Sequence, residues 1–355
     1  MERFLAKVSP MKSHGFRLRV EAETFQRAVI LGVLVLIMGV LSLLSEQFYN
    51  PTNLTNILRQ TAMTIITACA ATMVMISGGL DISVGGVLAL TGVVAAKLAT
   101  MHYPLGLAIL IGVLTGGLIG VINGGLVVGL RITPVIATLG TMNVARGLAF
   151  LISGGQAVVT GLPPEFRLPG RSYAVADIIP TPVVIMLGIF LLFYFLLHHT
   201  LLGKYTYAIG GNRETARLSG IPVGRIQFLL YALVGLMTGV SGVIMASRLA
   251  SGQPDVGYGF EFDVIVAVIL GGTSLAGGEG SVFGTLIGAL IVGTLKNGLN
   301  LLGVHTFYQY VVQGIVLIFA VLLDMTLKGQ GLRMPSGWLQ RRATAWGRRF
   351  SHGQR

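Results

Sequence analysis

The sequence predicts an all-α polytopic membrane protein with about ten transmembrane helices, some of them broken. Two observations support this prediction. Apolar residues make up 53% of the 355 residues and charged residues only 11%, whereas a soluble domain usually contains about 25% charged residues. The apolar residues also fall in repeated runs long enough to cross a bilayer, which takes about 20 residues in a helix.

Ten apolar runs can be placed as membrane spans, with an uncertainty of several residues at each end. They are 28–44, 61–77, 84–99, 105–130, 133–152, 182–197, 226–246, 262–272, 282–302 and 307–323. This placement divides the chain into a basic N-terminal arm (1–27), a transmembrane domain (28–324) and a basic C-terminal tail (325–355).

Positive charge predicts the orientation of these spans. The net charge is +12, but the positive residues are concentrated in the two ends and one loop, so a membrane explains them better than a nucleic acid partner. With the N-terminus inside and ten spans, 18 of the 25 Lys and Arg residues face the cytoplasm, as membrane proteins prefer. We therefore expect both termini in the cytoplasm and no nucleic acid partner.

The long loop at 153–181 then lies outside and divides the spans into five and five. Two halves that each contain an odd number of spans run in opposite directions through the membrane. We therefore expect a 5+5 inverted pseudo-repeat, as in many transporters. Counting carries this expectation, because the similarity between the two halves is faint.

Glycines recur every four residues in several predicted spans. Small residues at this spacing let helix backbones approach closely where lipid provides no hydrophobic drive for association. We interpret these glycines as helix-packing positions. They are Gly112, Gly116, Gly120 and Gly124, the pair Gly125 and Gly129, the pair Gly235 and Gly239, and the pair Gly284 and Gly288.

The stretch S-G-G-L-D-I-S-V-G-G-V at 77–87 places Asp81 and Ser83 among four glycines. Irregular backbone at membrane depth is tolerated only where protein covers it or water reaches it, and an aspartate there costs about 2.5–3.5 kcal/mol on insertion scales. Asp81 could hold a broken helix in place or contact a polar substrate. The alternative is that Asp81 caps the helix beginning at 83–84 and lies near the inner surface.

A second irregular region runs from 251 to 284, and it places Asp255, Glu261 and Asp263 at the outer mouth of the eighth span. That span has about eleven residues before two glycines, too few to cross the membrane at about 1.5 Å per residue. We expect a broken helix here, because transporters place substrate sites at such breaks. The candidate pathway residues of the two regions are Asp81, Ser83, Gln253, Glu261, Asp263, Thr273 and Ser274.

Polar side chains inside other spans are further candidates. Asn123 and Asn143 could line a pathway for a polar cargo or hydrogen-bond a neighbouring helix, which is the commoner role in bundles. The same alternatives hold for Asn297, Asn300 and Gln313. The sequence contains no phosphate-loop motif and no H-E-x-x-H motif, so we expect neither ATP hydrolysis by this chain nor a metal site.

A polar island at 207–225 interrupts two apolar runs, and its residues 214–218 could form one or two helical turns between glycine hinges. The island resembles the coupling helix of bacterial ABC sugar permeases of the ribose, arabinose and galactoside type, and we call it the coupling segment. The alternative is an ordinary cytoplasmic loop, positive because of the side it faces. The pattern G-G-N-x-E-x-A-x-x-x-G lies at Gly210, Gly211, Asn212, Glu214, Ala216 and Gly220, with Arg213 and Arg217 inside it.

Further motifs of the same family occur in matching order between residues 50 and 324. One is G-G-L-D-I-S-V-G at 78–85, and others lie at 251–254, at Glu261 and Asp263, and at 270–276. Thr215 and Val266 stand where the relatives usually have alanine. Neither change removes a polar contact.

The resemblance implies a transport subunit, not an enzyme, that belongs to an ABC importer and moves a monosaccharide across the bacterial inner membrane. The implied partners are an ATP-binding subunit on the coupling segment, a periplasmic sugar-binding protein, and a second permease subunit, identical or paralogous. No cofactor is expected on this chain, with ATP and Mg on the ATP-binding subunit.

Three alternatives remain open. One is an ion-coupled secondary transporter in which Asp81, Glu261 and Asp263 bind the ion. Another is a membrane-embedded enzyme that uses the paired acids. The third is an ABC permease for a furanose-like signal and not a nutrient.

Overall fold

The computed structural model describes residues 13–175 and 178–327, so residues 1–12 of the predicted arm and 328–355 of the predicted tail lie outside the described residues. A π-helical turn at Gly125–Gly129 extends α4, and a 3-10 turn at Pro164–Arg167 precedes α6. The α-helices are α1 (Ser13–Leu44), α2 (Pro51–Ile76), α3 (Val84–Thr100), α4 (Leu105–Gly124), α5 (Pro134–Ser153), α6 (Leu168–Arg171), α7 (Thr181–His199), α8 (Leu201–Gly211), α9 (Arg213–Leu218), α10 (Val223–Leu249), α11 (Phe260–Leu270), α12 (Val282–Leu301) and α13 (Thr306–Leu327).

Six of these helices are long and apolar enough to cross a membrane: α2, α4 with its π-helical extension, α5, α7, α10 and α12. The apolar parts of α1, α3 and α13 are shorter, at 28–44, 84–100 and 306–322, and α11 has only 11 residues. The prediction of a helical, multi-pass membrane protein is confirmed. Each predicted span coincides with a helix, but the count of ten crossings stays a prediction.

Two helices begin earlier than hydropathy predicts. α2 begins at Pro51 and not at residue 61, because the Asn50 side chain accepts a hydrogen bond from the Thr52 N–H at 2.9 Å and proline suits the first helical position. The polar residues of the first turns lower the hydropathy without breaking the helix. α1 begins at Ser13, within the predicted arm.

Three of the six long apolar helices are enclosed by the other helices. In their most apolar windows, 83% of α2 and 61% of both α10 and α12 are buried, against 28% for α4, α5 and α7. Short polar bonds join the enclosed helices. The Thr67 hydroxyl donates to the Ser241 hydroxyl at 2.9 Å, and the Thr72 and Thr285 hydroxyls lie 2.7 Å apart.

A reciprocal amide pair also joins α2 to α12. Each of the Asn53 and Asn297 side chains donates to the other's carbonyl oxygen, at 3.0 and 2.9 Å, and both are buried. For Asn297, therefore, the helix-to-helix role is the one present. Pairing both amides in this way satisfies polar groups that would be costly to leave unpaired in lipid.

Most of the predicted packing glycines occupy helix crossings. A Cβ on Gly116 of α4 would overlap the Gly235 carbonyl of α10, and a Cβ on Gly235 would overlap the Gly116 carbonyl. In the same way Gly288 of α12 lies against the Ala267 carbonyl of α11. The prediction is wrong for Gly125 and Gly129, because nothing in the described chain lies within 4 Å of a Cβ at either. They lie in the π-helical turn, on a surface that no other described helix covers.

The loop at 153–181 contains some regular structure. The strands β1 (Tyr173–Val175) and β2 (Ile179–Pro180) pair antiparallel, and Val158 forms an isolated bridge with Gly252. Phe166 is buried among apolar residues of α3, α4 and α10. The loop is therefore anchored over the ends of these helices.

Candidate functional site

The coupling segment contains the end of α8, the short helix α9 and the start of α10. The Asn212 side chain accepts a hydrogen bond from the Thr215 N–H at 2.8 Å, which caps α9 at its start. After the helix ends at Leu218, Gly220 adopts φ +84°, a conformation that glycine adopts without strain. The predicted helix over 214–218 is therefore present, and it is one residue longer at its start.

Helix α9 presents nearly all of its surface to solvent. In the stretch 211–220 only Ala216 is buried, and it packs against Ile209 and Val223. Glu214 and Arg217 form an exposed ion pair at 2.6 Å. The hydrogen bond from Arg217 lowers the pKa of the Glu214 carboxyl below its ordinary value, and the same contact raises the pKa of Arg217.

Backbone contacts tie the coupling segment to two other helix ends. A Cβ on Gly210 would overlap the Ile76 carbonyl at the end of α2 and the Gly278 nitrogen. The Gly278 N–H donates to the Ile76 carbonyl at 2.8 Å, and the Tyr207 hydroxyl donates to the Gly280 carbonyl at 2.7 Å. The coupling segment, the end of α2 and the loop 271–281 therefore meet at one place, and Gly210 is required for the close approach.

Asp81, Ser83 and Asn123, which the sequence proposed separately, form one buried network. An Asp81 carboxylate oxygen accepts hydrogen bonds from the Ser83 N–H at 2.9 Å and the Ser83 hydroxyl at 2.6 Å. The Asn123 amide donates to the other Asp81 oxygen at 3.2 Å and to the Ser83 hydroxyl at 2.9 Å. Thr141 of α5 donates to the Asn123 carbonyl at 2.6 Å. The network joins the start of α3 to α4 and α5.

Capping of the following helix, the alternative proposed for Asp81, is therefore only part of its role. The capping position of α3 is Ser83 and not Asp81, and Asp81 closes the turn that leads into it. At 4% exposure Asp81 is enclosed by protein. The neutral donors around its carboxylate compensate the cost of placing an acid there.

Glu261 and Asp263 are buried at the start of α11, and their position at an outer mouth stays a prediction. Asp263 forms an ion pair with Lys296 of α12 and accepts a hydrogen bond from the Gln313 amide of α13 at 2.6 Å. The Glu261 Oε2 atom is buried, has no hydrogen-bond partner among the described residues, and lies against Gly85 at the start of α3. The starts of α3 and α11 are therefore neighbours.

A cleft lies between α11, α12 and α13. Asp263, Lys296, Gln309 and Gln313 form its polar part. Its walls are apolar, and they are formed by Val266, Ile291, Val292, Leu295, Leu299, Val312 and Val316.

Arg146 is a site residue that the sequence analysis did not select. Its guanidinium donates to the carbonyl of Pro254 at 2.9 Å and to that of Val256, and it lies over the Tyr258 ring, 4.3 Å from the centroid. Arg146 therefore holds the irregular segment 251–259 against α5. An arginine inside an apolar run was the available signal.

The remaining candidates lie in separate places. The Gln253 amide donates to the Ser251 hydroxyl at 2.9 Å, and the Ser274 hydroxyl accepts from the Ala276 N–H at 3.2 Å. The Thr273 hydroxyl is buried without a hydrogen-bond partner in the described chain. Asn143 is exposed on α5, where it donates to the Leu139 carbonyl at 3.1 Å, away from the Asp81 network.

Comparison with known proteins identifies the family. The family model described as branched-chain amino acid transport system / permease component matches residues 53–321. The chain belongs to this family. It is 44% identical to the ribose import permease protein RbsC of Escherichia coli K12 over 311 residues, 87% of this chain and 97% of that protein. None of the solved structures gives a significant match.

Two further relatives have other sugars in their names. The chain is 39% identical to the L-arabinose ABC transporter permease protein AraH of Azospirillum brasilense, over 87% of this chain and 90% of that protein. It is 38% identical to the D-allose transport system permease protein AlsC of Escherichia coli K12, over 87% and 98%. The resemblance found in the motifs is confirmed, and the chain is a membrane transport component and not an enzyme.

Proposed function

We propose that this chain is the membrane subunit of an ABC importer that moves a monosaccharide across the bacterial inner membrane. The names of the relatives, which specify ribose, L-arabinose and D-allose, support a neutral sugar as cargo. A sugar pathway requires hydroxyl, amide and backbone groups beside apolar walls. The chain contains groups of these kinds in its spans and irregular segments.

The geometry of the coupling segment is the observation that carries this proposal. Helix α9 is exposed on nearly its whole surface, yet Gly210 and Tyr207 connect its base directly to Ile76 and Gly280. A force applied to α9 from outside the bundle would therefore reach the end of α2 and the loop 271–281 through backbone contacts. An ATP-binding subunit, with ATP and Mg bound to it and not to this chain, is the partner that would apply such a force.

The helix arrangement supports ten spans in two inverted halves, formed by α1 to α5 and by α7, α10, α11, α12 and α13. The stretch G-V-L-T-G-G-L-I at 112–119 corresponds to G-T-L-I-G-A-L-I at 284–291, and S-G-x-x-D occurs at both 77–81 and 251–255. The contacts correspond as well. α4 packs on α10 as α12 packs on α2, and α3 contacts α4 and α5 as α11 contacts α12 and α13.

The candidate pathway residues divide into two roles under this proposal. Asp81, Ser83 and Asn123 hold the start of α3, because their polar atoms are bound to one another. Asn143 is better placed to meet a cargo, because it is exposed. Glu261 is buried against Gly85, so it would meet a cargo only if the starts of α3 and α11 move apart. The other candidates lie at α11 or in the irregular segments on either side of it, where a pathway would open. Gln253 precedes α11, Asp263 lies at its start, and Thr273 and Ser274 follow it.

Co-purification tests the coupling role. The tagged chain is extracted from its native membranes, and ATP hydrolysis is measured in the purified sample. We expect a soluble ATP-hydrolysing protein to accompany the chain, and Glu214→Arg to remove it by reversing the charge beside Arg217. Glu165→Arg, the same change at an exposed acid in the loop 153–181, is the matched control and should leave the complex intact.

An opposite result would decide against an importer. If the chain purifies alone and carries sugar in proteoliposomes under an ion gradient, the ion-coupled alternative is correct.

A separate experiment tests the cargo. It measures uptake of labelled ribose, L-arabinose and D-allose, with each sugar also used as a competitor of the others. If none of the three is carried but a labelled furanose derivative that cells do not consume is taken up, the cargo is a signal.

A further inference from the structure

Three arginines come together at one end of α2 and α10. The Arg59 guanidinium donates to the Arg171 carbonyl at 3.4 Å, and the Arg171 guanidinium donates to the Arg248 carbonyl at 2.7 Å. Arg59 also lies over the Tyr173 ring, 4.5 Å from its centroid. The positive charges of Arg59 and Arg171 both repel that of Arg248.

No acidic side chain among the residues that the structure describes neutralises this cluster. The ion pairs of the described chain are Glu214 with Arg217 and Asp263 with Lys296. The partners described for the Arg59 and Arg171 guanidinium groups are two carbonyls and a ring. In the proposed topology they lie on the outer side, where membrane proteins usually carry few positive residues. A compact positive cluster on that side, with no acidic side chain beside it among the described residues, favours an anionic partner.

The cluster is held in place before any partner arrives. The Gly170 N–H donates to the Ser247 hydroxyl at 2.8 Å, and a Cβ on Gly170 would overlap the Arg248 backbone. The short helix α6, which carries Arg171, is thereby fixed on the end of α10. Arg171 is exposed, and Arg59 and Arg248 are half-buried. A preorganised guanidinium loses little freedom when it binds a carboxylate.

We propose that Arg59, Arg171 and Arg248 form the docking site for an acidic surface of the soluble protein that delivers the sugar. This inference rests on the proposed importer function. Guanidinium groups bind carboxylates through two parallel hydrogen bonds, and a positive patch accelerates the approach of an acidic partner. A protein suits the cluster better than lipid, because α2 and α10 are among the most enclosed helices. Their common end therefore faces water over the middle of the bundle and not the lipid at its rim.

Binding to the assembled transporter tests the proposal. The complex of this chain with its ATP-binding subunit is placed in nanodiscs. The probe is the sugar-binding protein purified from periplasmic extract by its affinity for the transported sugar. We expect Arg59→Gln, Arg171→Gln and Arg248→Gln each to weaken binding about threefold to tenfold at low salt and to reduce its salt dependence. Arg171→Lys keeps the charge but loses the two parallel hydrogen bonds of the guanidinium. Its affinity should lie between those of the wild type and Arg171→Gln.

Lys97→Gln is the matched control, because Lys97 is an exposed basic residue in the last turn of α3 outside the cluster. It should bind the probe as the wild type does. Unchanged basal ATP hydrolysis and co-purification show that each variant is folded and assembled.

Three outcomes would overturn the docking site, and they can be told apart. If the wild-type complex neither hydrolyses ATP nor carries sugar, the importer function fails and the docking site fails with it. If the wild type transports and binds the probe but the three variants bind it equally well, only the docking site is wrong. The third outcome concerns lipid. The unfolding temperature of the wild type is compared in phosphatidylglycerol and phosphatidylcholine nanodiscs. If the variants bind the probe normally but lose the stabilisation by phosphatidylglycerol, the cluster binds anionic lipid.

Discussion

Asp81 and Asp263 are both buried carboxylates at the start of a helix, but their partners differ. Asp81 is surrounded by neutral donors, the backbone and hydroxyl of Ser83 and the amide of Asn123. Asp263 is paired with the Lys296 ammonium group, whose side chain is 36% exposed, and with the Gln313 amide. The first region is closed to water and the second is partly open to it.

This difference indicates which region is able to move. A hydrogen-bond network in which every member is bound rigidifies its surroundings. The network around Asp81 therefore anchors α3 to α4 and α5. The region of Asp263 contains an ion pair that water can reach, an unpartnered Glu261 oxygen, and a segment held by Arg146 through carbonyl groups. We therefore expect conformational change during transport to be concentrated there.

The largest expected effect is the loss of the hydrogen-bond network around Asp81 in Asn123→Leu. The substitution leaves Asp81 and Thr141 buried with fewer partners, which costs about 3–4 kcal/mol from hydrogen bonds to a charged group and an unsatisfied hydroxyl. The thermal unfolding midpoint of the protein in detergent should fall sharply. Asn143→Leu is the control, because Asn143 is exposed and bonded only within its helix. Equal effects of the two substitutions would contradict the anchoring role.

Breaking the ion pair should cost less. Lys296→Met leaves Asp263 with Gln313 alone, and we expect a loss of about 2 kcal/mol, since the partial exposure of Lys296 screens the pair. Asp263→Asn combined with Lys296→Met should recover part of this loss, because no uncompensated charge stays behind. The same unfolding measurement decides the matter. Strictly additive losses in the double variant would show that the two residues do not act as a pair.

Arg146→Met should release the segment 251–259 with a smaller effect on the whole fold. The readout is the rate at which a membrane-impermeant thiol reagent labels Gln253→Cys, with the buried Cys69 replaced by alanine. We expect the rate to rise about tenfold, equivalent to about 1.4 kcal/mol of local stability. Arg146→Lys, which retains a point charge, should give an intermediate rate. An unchanged rate would mean that other contacts hold the segment.

The smallest expected effect on stability is that of Tyr207→Phe, which removes one hydrogen bond to Gly280 and costs about 1 kcal/mol. Its effect on coupling should be larger. ATP hydrolysis should continue, while the amount of sugar carried per ATP falls, because the hydroxyl joins α8 to the loop 271–281. Tyr205→Phe, on the same helix, is the control. If both variants retain the wild-type ratio, force does not pass through this contact.

Local features of the sequence were sufficient to predict much of this chain. The apolar runs indicated the helices, and the glycines around Asp81 indicated the break before α3. Gly210, Gly211 and Gly220 indicated the start and end of α9. Each of these signals works over a few residues, because capping, backbone freedom and hydropathy depend on the near neighbours of a residue.

What the sequence by itself determined is therefore which segments are helical, where they break, and which polar residues occur at the breaks. Only the tertiary structure decided which of those residues meet. Asn123 reaches Asp81 across 42 positions of the chain, and Arg146 reaches Pro254 across 108. It also placed Gly210 against Ile76 and left Gly125 and Gly129 without a neighbouring helix. The reason is physical, since a hydrogen bond or close backbone contact between distant residues depends on how whole helices pack and cross.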